Sequence, residues 1–198
     1  MAYATSYSNF IGSIAVPNLV STRPDGQLMT TMIAEYETEF LENFFGYEMA
    51  QEVTAEITTP DPTNLPYYNI VNGATYVDLN GDTQKWQGFK VGKSPIANYI
   101  YTEYLRFKEI QITGLGTVKE QSENAMLADG SMLLVKAWNA MVEMNCNLHN
   151  YLVSIKGDYP LMDAMYAGFK HDPYLMRYAG QYVYPNQLLF VPQNMFSL

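Results

Sequence analysis

Apolar residues recur every three to four positions along much of the chain, a period typical of amphipathic helices. The first such pattern begins near Asp25 and stops at Gly46, a residue type that commonly ends helices. Its apolar positions are Leu28, Met29, Met32, Ile33, Tyr36, Phe40, Leu41 and Phe44. A second helical pattern follows directly, at about Tyr47–Ile57. The N-terminal part of the chain is therefore predicted to form a helix pair.

The stretch from Ser94 to Ala125 is predicted to be the element around which the rest of the chain is organised. Ser94-Pro95 is a helix-start signal, because serine can accept a hydrogen bond from a free N–H, and proline at the first helical position loses an N–H that has no partner anyway. One apolar face follows at spacings of four and three, made of Ile96, Ile100, Tyr104 and Phe107. The glycines of Thr113-Gly114-Leu115-Gly116 interrupt any regular element, so a loop is predicted there.

The longest predicted element is a helix from Ser122 to about Lys156. Its core positions are Leu127, Leu134, Trp138, Met141, Leu148, Leu152 and Ile155, with Ser131 and Asn145 in the two remaining slots. Asp129-Gly130 marks either the true start of this helix or a kink. Asn145 either fixes the register between helices or is a core polar residue with satisfied hydrogen bonds.

The sequence Asn80-Gly81 gives the strongest local signal. It is flanked by strand-like residues, and Asn-Gly tolerates the two positive φ values of a type I′ turn. A β-hairpin is therefore predicted over residues 75–87. Asp78-x-Asn80-x-Asp82 resembles the start of a calcium loop, but the glycine and glutamate required further on are missing. The preceding residues, 58–74, contain three prolines and are predicted to be a long loop.

These patterns predict one domain of the mainly α class. Residues 1–24 form an N-terminal arm, extended or with short strand pieces, and residues 25–171 form a helical body that contains the hairpin and ends in a short helix at 160–170. Residues 172–198 alternate large apolar residues with prolines and are predicted to be an extended C-terminal tail. This tail is apolar enough to need covering, so we expect it to contact a neighbouring copy or partner.

Negative charge is concentrated in the first part of the chain. Residues 1–84 contain eleven acidic side chains and one basic side chain, Arg23, whereas residues 85–198 are close to neutral. Glu48, Glu52 and Glu56 follow one another at i, i+4 and i+8, and Glu35, Glu39 and Glu42 form a second stripe. Such a surface is poorly suited to gripping nucleic acid, whose phosphates require clustered Lys and Arg. Each stripe is expected to be either a solvated face or the wall of a channel.

Candidate catalytic chemistry is sparse. The single Cys146 excludes an internal disulfide framework, and Cys146-x-x-His149 supplies only half of a zinc site. Gly114-x-Gly116 lacks the third glycine of a dinucleotide loop. No apolar run of the length needed for a membrane span occurs. We expect no catalytic, metal-binding or cofactor-binding residues and no membrane association.

A family resemblance is carried by the order of an aromatic helix, T-G-x-G, a polar Ser-Glu-Asn-Ala and a long helix. The matching residues are Tyr99, Tyr101, Tyr104, Leu105, Thr113, Gly114, Gly116, Val118, Ser122, Glu123, Asn124 and Ala125, and Trp86-Gln87-Gly88-Phe89 also matches. Over roughly residues 75–155 the chain resembles the head–tail connector (adaptor, or neck ring) proteins of tailed phages that infect Bacteroidetes-type hosts.

The resemblance implies a virion structural protein, assembled in the host cytoplasm, that forms a twelve-fold ring beneath the portal. Such a ring contacts the portal and tail or other neck proteins and conducts double-stranded DNA without binding it specifically. Expected interface residues are Thr113, Gly114, Leu115, Gly116, Val118, Tyr182, Tyr184, Leu189, Phe190 and Phe196, and expected lumen-facing residues are Glu48, Glu52 and Glu56. The alternatives are a small enzyme, with its pocket under the tyrosine-rich helix, and an interaction module with no virion role.

Overall fold

The computed structural model describes residues 2–78, 80–109, 111–113, 116–118, 130–155, 177–178 and 181–182. Within these residues the fold is mainly helical, as predicted. The five α-helices are α1 (Pro24–Phe45), α2 (Tyr47–Thr58), α3 (Leu65–Asn72), α4 (Pro95–Glu109) and α5 (Gly130–Ser154). Three two-stranded antiparallel ribbons pair β1 (Ala74–Val77) with β2 (Thr83–Trp86), β3 (Gln111–Thr113) with β4 (Gly116–Val118), and β5 (Arg177–Tyr178) with β6 (Gln181–Tyr182).

Helix α4 forms the centre of the core and packs against both α1 and α5. It begins as predicted, because the Ser94 hydroxyl accepts a hydrogen bond from the Ala97 N–H at 3.1 Å. Ile96 and Ile100 are fully buried, and neighbouring positions around the helix are buried as well. The prediction was wrong for Phe107, which is 55% exposed. Phe107 lies in the last turn beside exposed Arg106 and Lys108, where the helix has run past the core.

Aromatic side chains join α1 to α4 and to the segment after β2. The Phe40 ring lies 5.8 Å from Tyr99 of α4 and 6.3 Å from Phe89, measured between ring centroids. Trp86 is fully buried, and its indole N–H donates to the Ile70 carbonyl at 2.8 Å. Large aromatic contacts of this kind dominate core energetics in small domains. The Trp86–Phe89 segment is therefore a packing centre of the fold.

A close backbone approach explains the glycine within that segment. Gly88 has a φ of +85°, and a Cβ at this position would lie 2.6 Å from the Asn72 carbonyl carbon. The approach allows the Phe89 N–H to donate to the Val71 carbonyl at 2.8 Å. Any other residue would be strained here and would push the end of α3 away from the segment.

The predicted hairpin is present, but its turn differs from the predicted type. Val77 pairs with Thr83, and the Asp78 N–H donates to the Asp82 carbonyl, so the connection has three residues rather than two. Gly81, with a φ of +91°, ends this turn. The Asp78 carboxylate accepts from the N–H groups of Asn80 and Asp82, which lowers its pKa. The acidic spacing that resembled a calcium loop therefore serves to shape the turn.

Three other sequence predictions need correction. Residues 58–74 are not one long loop, because Pro66 lies in the first turn of α3, where its missing N–H costs nothing. Thr113 and Gly116 pair with each other across the β3–β4 ribbon, so this glycine-containing segment is a hairpin rather than a plain loop. The N-terminal arm contains two short 3₁₀ helices, Tyr7–Asn9 and Gly12–Ile14, in place of strand pieces.

The C-terminal part of the predicted body is described only in part. Helix α5 is described from Gly130, and residues 119–129 lie outside the described residues, so the two interpretations of Asp129-Gly130 both stay predictions. The predicted helix at 160–170 also lies outside them. Of the predicted tail, only the short β5–β6 ribbon is described.

Asn145 does not fulfil the prediction of a satisfied core polar residue. It is 1% exposed, and neither Oδ1 nor Nδ2 has a hydrogen-bond partner within the structure described. Met141, Val142 and Leu148, its neighbours on the buried face of α5, are all fully buried. The pattern placed Asn145 correctly on the core side, but periodicity could not supply a partner for it.

Candidate functional site

The acidic residues of α2 are the predicted functional residues whose side chains the structure describes. Glu48 and Glu52 are exposed, but Glu56 is only 3% exposed. The Glu56 carboxylate accepts a hydrogen bond from the Asp61 N–H at 2.8 Å, which fastens the chain where it leaves α2. The prediction of one exposed stripe was therefore wrong at Glu56, because the α2 helix turns this position toward the following loop.

The second acidic stripe, on α1, is also divided between roles. Glu35 is exposed, whereas Glu39 accepts a hydrogen bond from the Tyr99 hydroxyl of α4 at 2.8 Å. Glu42 is half-buried. Only part of this stripe is therefore available to a partner or to a channel.

Few basic groups offset these carboxylates. The side chains that the structure describes form two ion pairs, Asp25–Lys108 at 2.6 Å and Glu103–Arg106. Asp25 is thus the one described carboxylate of the first 84 residues that has a basic partner. The pair with Lys108, chiefly through its hydrogen bond, lowers the pKa of Asp25. Glu48 and Glu52 have no basic partner among the described side chains, so the described surface of α2 is electronegative.

A shallow cavity of about 400 Å³ lies beside the C-terminal half of α2. Its lining residues, all of polar type except Ala55, are Gln51, Glu52, Thr54, Ala55, Glu56, Thr58, Thr59, Asp61 and Asn64. Among the described residues, no group of three or more His, Cys, Asp or Glu side chains is placed to hold a metal ion. The cavity also lies on a different element from the tyrosine-rich α4, where the alternative enzyme interpretation expected a pocket.

The thiol and imidazole of α5 are both partly buried. Burial raises the pKa of the Cys146 thiol and lowers the pKa of the His149 imidazole. A thiol with a raised pKa is a poor nucleophile and a poor metal ligand near neutral pH. The positions of Cys146 and His149 are better explained by packing of α5 than by a catalytic or metal-binding role.

The expected interface residues fall on two ribbons. Thr113, Gly116 and Val118 belong to the β3–β4 ribbon, and Tyr182 belongs to β6. Gly114, Leu115, Tyr184, Leu189, Phe190 and Phe196 lie outside the described residues. The structure therefore pairs Thr113 with Gly116 and places Val118 at the other end of the same ribbon, opposite Gln111.

Sequence reasoning missed one residue with a clear structural role. Glu37 is 2% exposed, and its two carboxylate oxygens accept from the N–H groups of Ala4 at 2.7 Å and Thr5 at 2.9 Å. Burial raises its pKa, and the two backbone hydrogen bonds partly oppose that rise. A signal was present, because Glu37 lies four residues after Ile33 and three before Phe40, on the apolar face of α1.

No helix in the described part of the chain combines the length and the apolar character needed to cross a membrane. Comparison of the chain with protein-family models, curated proteins and solved structures found no match.

Proposed function

We propose that this chain is a virion structural protein, a head–tail connector that assembles as a ring beneath the portal and conducts the genome between capsid and tail. The observation that carries the proposal is where the residues of the resemblance lie. Trp86 and Phe89 are fully buried, and Tyr99, Tyr101 and Tyr104 are buried on α4. These residues are therefore the framework of the fold rather than scattered surface matches.

The described part of the segment that carries the resemblance also forms a packed unit. Strands β1 and β2 contact α5, and α5 packs along α4. The Tyr76 hydroxyl on β1 donates to Asn147 Oδ1 on α5 at 3.1 Å, and Asn147 Nδ2 donates to the Lys85 carbonyl. A likeness whose described residues pack against one another supports shared architecture more strongly than a likeness over isolated loops.

The distribution of charge supports passage of DNA without binding. Exposed Glu48 and Glu52 lack described basic partners, so duplex phosphates near α2 would be repelled over a distance of about one Debye length, about 8 Å at physiological salt. Phosphate contacts made by Lys or Arg would instead have to be broken as the genome moves. An electronegative wall is therefore suited to a conduit.

Self-association is the first test of this proposal. Sedimentation velocity and native mass spectrometry of the full chain should detect a species near twelve times the 22.5 kDa of one chain, alone or after mixing with portal protein. Imaging of native particles should then place the chain between portal and tail. A chain that stays monomeric with and without portal, and that is missing from the neck of particles, would contradict the proposal.

The C-terminal tail is proposed as a contact between subunits, since residues 172–198 are rich in large apolar side chains and prolines. Removing residues 184–198 should leave a helical monomer that no longer assembles. Loss of helical circular dichroism in that truncation would instead assign the tail to the core of its own subunit.

A further inference from the structure

The N-terminal segment, residues 2–16, occupies a groove on the helical body as a bound peptide would. Helix α1 forms one wall of the groove and binds the first residues of the segment. The Glu37 carboxylate accepts from the N–H groups of Ala4 and Thr5, and the Tyr7 hydroxyl donates to the Gly26 carbonyl at 2.7 Å. A carboxylate that receives two backbone N–H groups recognises a main chain without regard to its side chains.

The opposite wall of the groove is formed by the turn before α4. Asn9 Nδ2 donates to the Val91 carbonyl at 2.6 Å, and the Lys93 N–H donates to the Asn9 carbonyl at 2.9 Å. After these polar contacts along the segment, the side chains of Phe10, Ile14 and Val16 are buried. The second 3₁₀ helix of the segment also packs against α5. The groove therefore fixes the segment by both backbone recognition and apolar burial.

The connection from this segment to α1 makes far fewer contacts. In residues 17–23, every side chain is exposed except that of Leu19, which is half-buried. Asn18 has a φ of +55°, a left-handed conformation that is uncommon for residues other than glycine. Seven residues can extend to roughly 24 Å at about 3.4 Å each. The main packing contacts of the connection are those of the Val20 and Ser21 backbone with Gly26 of α1 and of Leu19 with the core. The connection is thus long enough to direct residues 2–16 toward another molecule.

We propose that the groove is a docking site for residues 2–16 of a second copy of this chain, and that assembled subunits exchange these segments. Every contact described above would re-form between copies, because donor and acceptor residues are identical in each subunit. The cost of exchange falls on the connection, where the contacts of Val20 and Ser21 with Gly26 and of Leu19 with the core must change. This inference rests on the proposed self-assembly and names the contact through which one subunit holds the next.

A cysteine pair can report which copy supplies the segment. An ideal Cβ built at Gly92 lies 3.2 Å from Ile11 Cγ1, the atom that a cysteine sulfur would replace, and Gly92 does not have a positive φ. This separation is compatible with a disulfide, whose S–S bond is about 2.0 Å. The variant is Ile11→Cys/Gly92→Cys in a full-length Cys146→Ser background. The control pairs Ile11→Cys with Thr58→Cys, at an exposed position at the end of α2.

The assembled variant is oxidised and analysed on a denaturing gel without reductant, and its assembly mass is measured beforehand. Exchange predicts a ladder of covalently linked chains, with residues 11 and 92 joined between copies. Mixing Ile11→Cys with Gly92→Cys single variants, each with Cys146→Ser, should give the same linkage between two chains, and the Thr58→Cys control should give no ladder.

The outcomes separate this inference from the proposed function. An assembled species that yields only single chains with an internal 11–92 link would overturn segment exchange and leave the ring intact. If the variant and the unmodified chain both stay monomeric with and without portal protein, and the variant forms only the internal link, segment exchange and the proposed ring are both contradicted.

Discussion

The helix pair α1–α2 and the central helix α4 both bury polar side chains, but they satisfy them in different ways. Glu37 and Glu56 of the helix pair accept hydrogen bonds from backbone N–H groups outside their own helices. Asn98 and Thr102 of α4 are equally buried, yet they donate to carbonyls no more than five residues before them in the chain. Glu37 and Glu56 therefore join irregular segments to the body, whereas Asn98 and Thr102 bond only to their own helix and to the turn before it.

This difference predicts where substitution will be most costly. A buried donor that loses its partner costs about 1–3 kcal/mol, whereas removing a locally bonded side chain leaves backbone groups that other helical bonds partly satisfy. The α1–α2 carboxylates should therefore dominate the polar contribution to stability. The four predictions below test this ordering, from the largest expected effect to the smallest.

The largest effect is expected for Glu37→Ala. This substitution leaves the buried N–H groups of Ala4 and Thr5 without acceptors and should lower the free energy of unfolding by about 3 kcal/mol. Urea denaturation followed by circular dichroism measures the loss. Glu35→Ala, an exposed position on the same helix, is the matched control and should change stability by less than about 0.5 kcal/mol. Equal losses at both positions would show that Glu37 does not hold the N-terminal segment.

The second prediction concerns how the free energy of unfolding changes as pH rises. Burial raises the pKa of folded Glu37 above its ordinary value of 4.5, so the folded state binds more protons than the unfolded state just above that pH. The contribution of Glu37 to stability is therefore fully present below about 4.5 and decreases as pH rises through the folded pKa. Unfolding of the native chain and of Glu37→Gln should be compared from pH 4 to 8. The difference in unfolding free energy between the two should shift in favour of the glutamine variant as pH rises, and a constant difference would contradict the raised pKa.

How much of this could be read from the sequence depended on how local each interaction is. The Ser94 cap, the start of α4 and the hairpin near Gly81 follow from neighbouring residues, and all three were predicted. The burial of Glu37 and Glu56 depends on irregular segments that fold back onto the helices, and acidic spacing alone indicated solvent. The exposure of Phe107 was missed because the apolar period continues along the helix after the helix has passed the end of the core. The three-residue turn at Gly81 was missed because the pairing of Asp78 with Asp82 depends on strand register as well as on turn residues.

An intermediate effect is expected at Asn98, the α4 counterpart of Glu37. Asn98→Ala removes hydrogen bonds from Nδ2 to the carbonyls of Lys93 and Ser94, but the Ser94 carbonyl keeps the bond from the Asn98 N–H. The expected loss is about 1.5 kcal/mol, roughly half of that for Glu37→Ala. Thr102→Val, which keeps the shape of the side chain and removes one local bond, should cost less than about 1 kcal/mol. If Asn98→Ala lowers the free energy of unfolding as much as Glu37→Ala does, the proposed difference between α1–α2 and α4 is wrong.

The smallest effect on stability, with the clearest effect on function, is expected for the double variant Glu48→Lys/Glu52→Lys. Both side chains are exposed, so the free energy of unfolding should change by less than about 0.5 kcal/mol. Glu56→Lys, by contrast, would place a charge at a buried position and remove the acceptor of the Asp61 N–H, so it should destabilise the chain and must be kept out of the functional variant.

If the α2 surface lines the channel of an assembled ring, the two lysines would replace repulsion of the duplex by attraction, and particles should retain DNA or eject it slowly. The defect should be strongest at low salt, because the Debye length there is longest. Glu35→Lys/Glu143→Lys, a double reversal at exposed positions on α1 and α5, is the matched control because it makes the same change in net charge. Ejection that is normal for the double variant at every ionic strength would place Glu48 and Glu52 on the outside of the ring, and the electronegative surface of α2 would then be a solvated face.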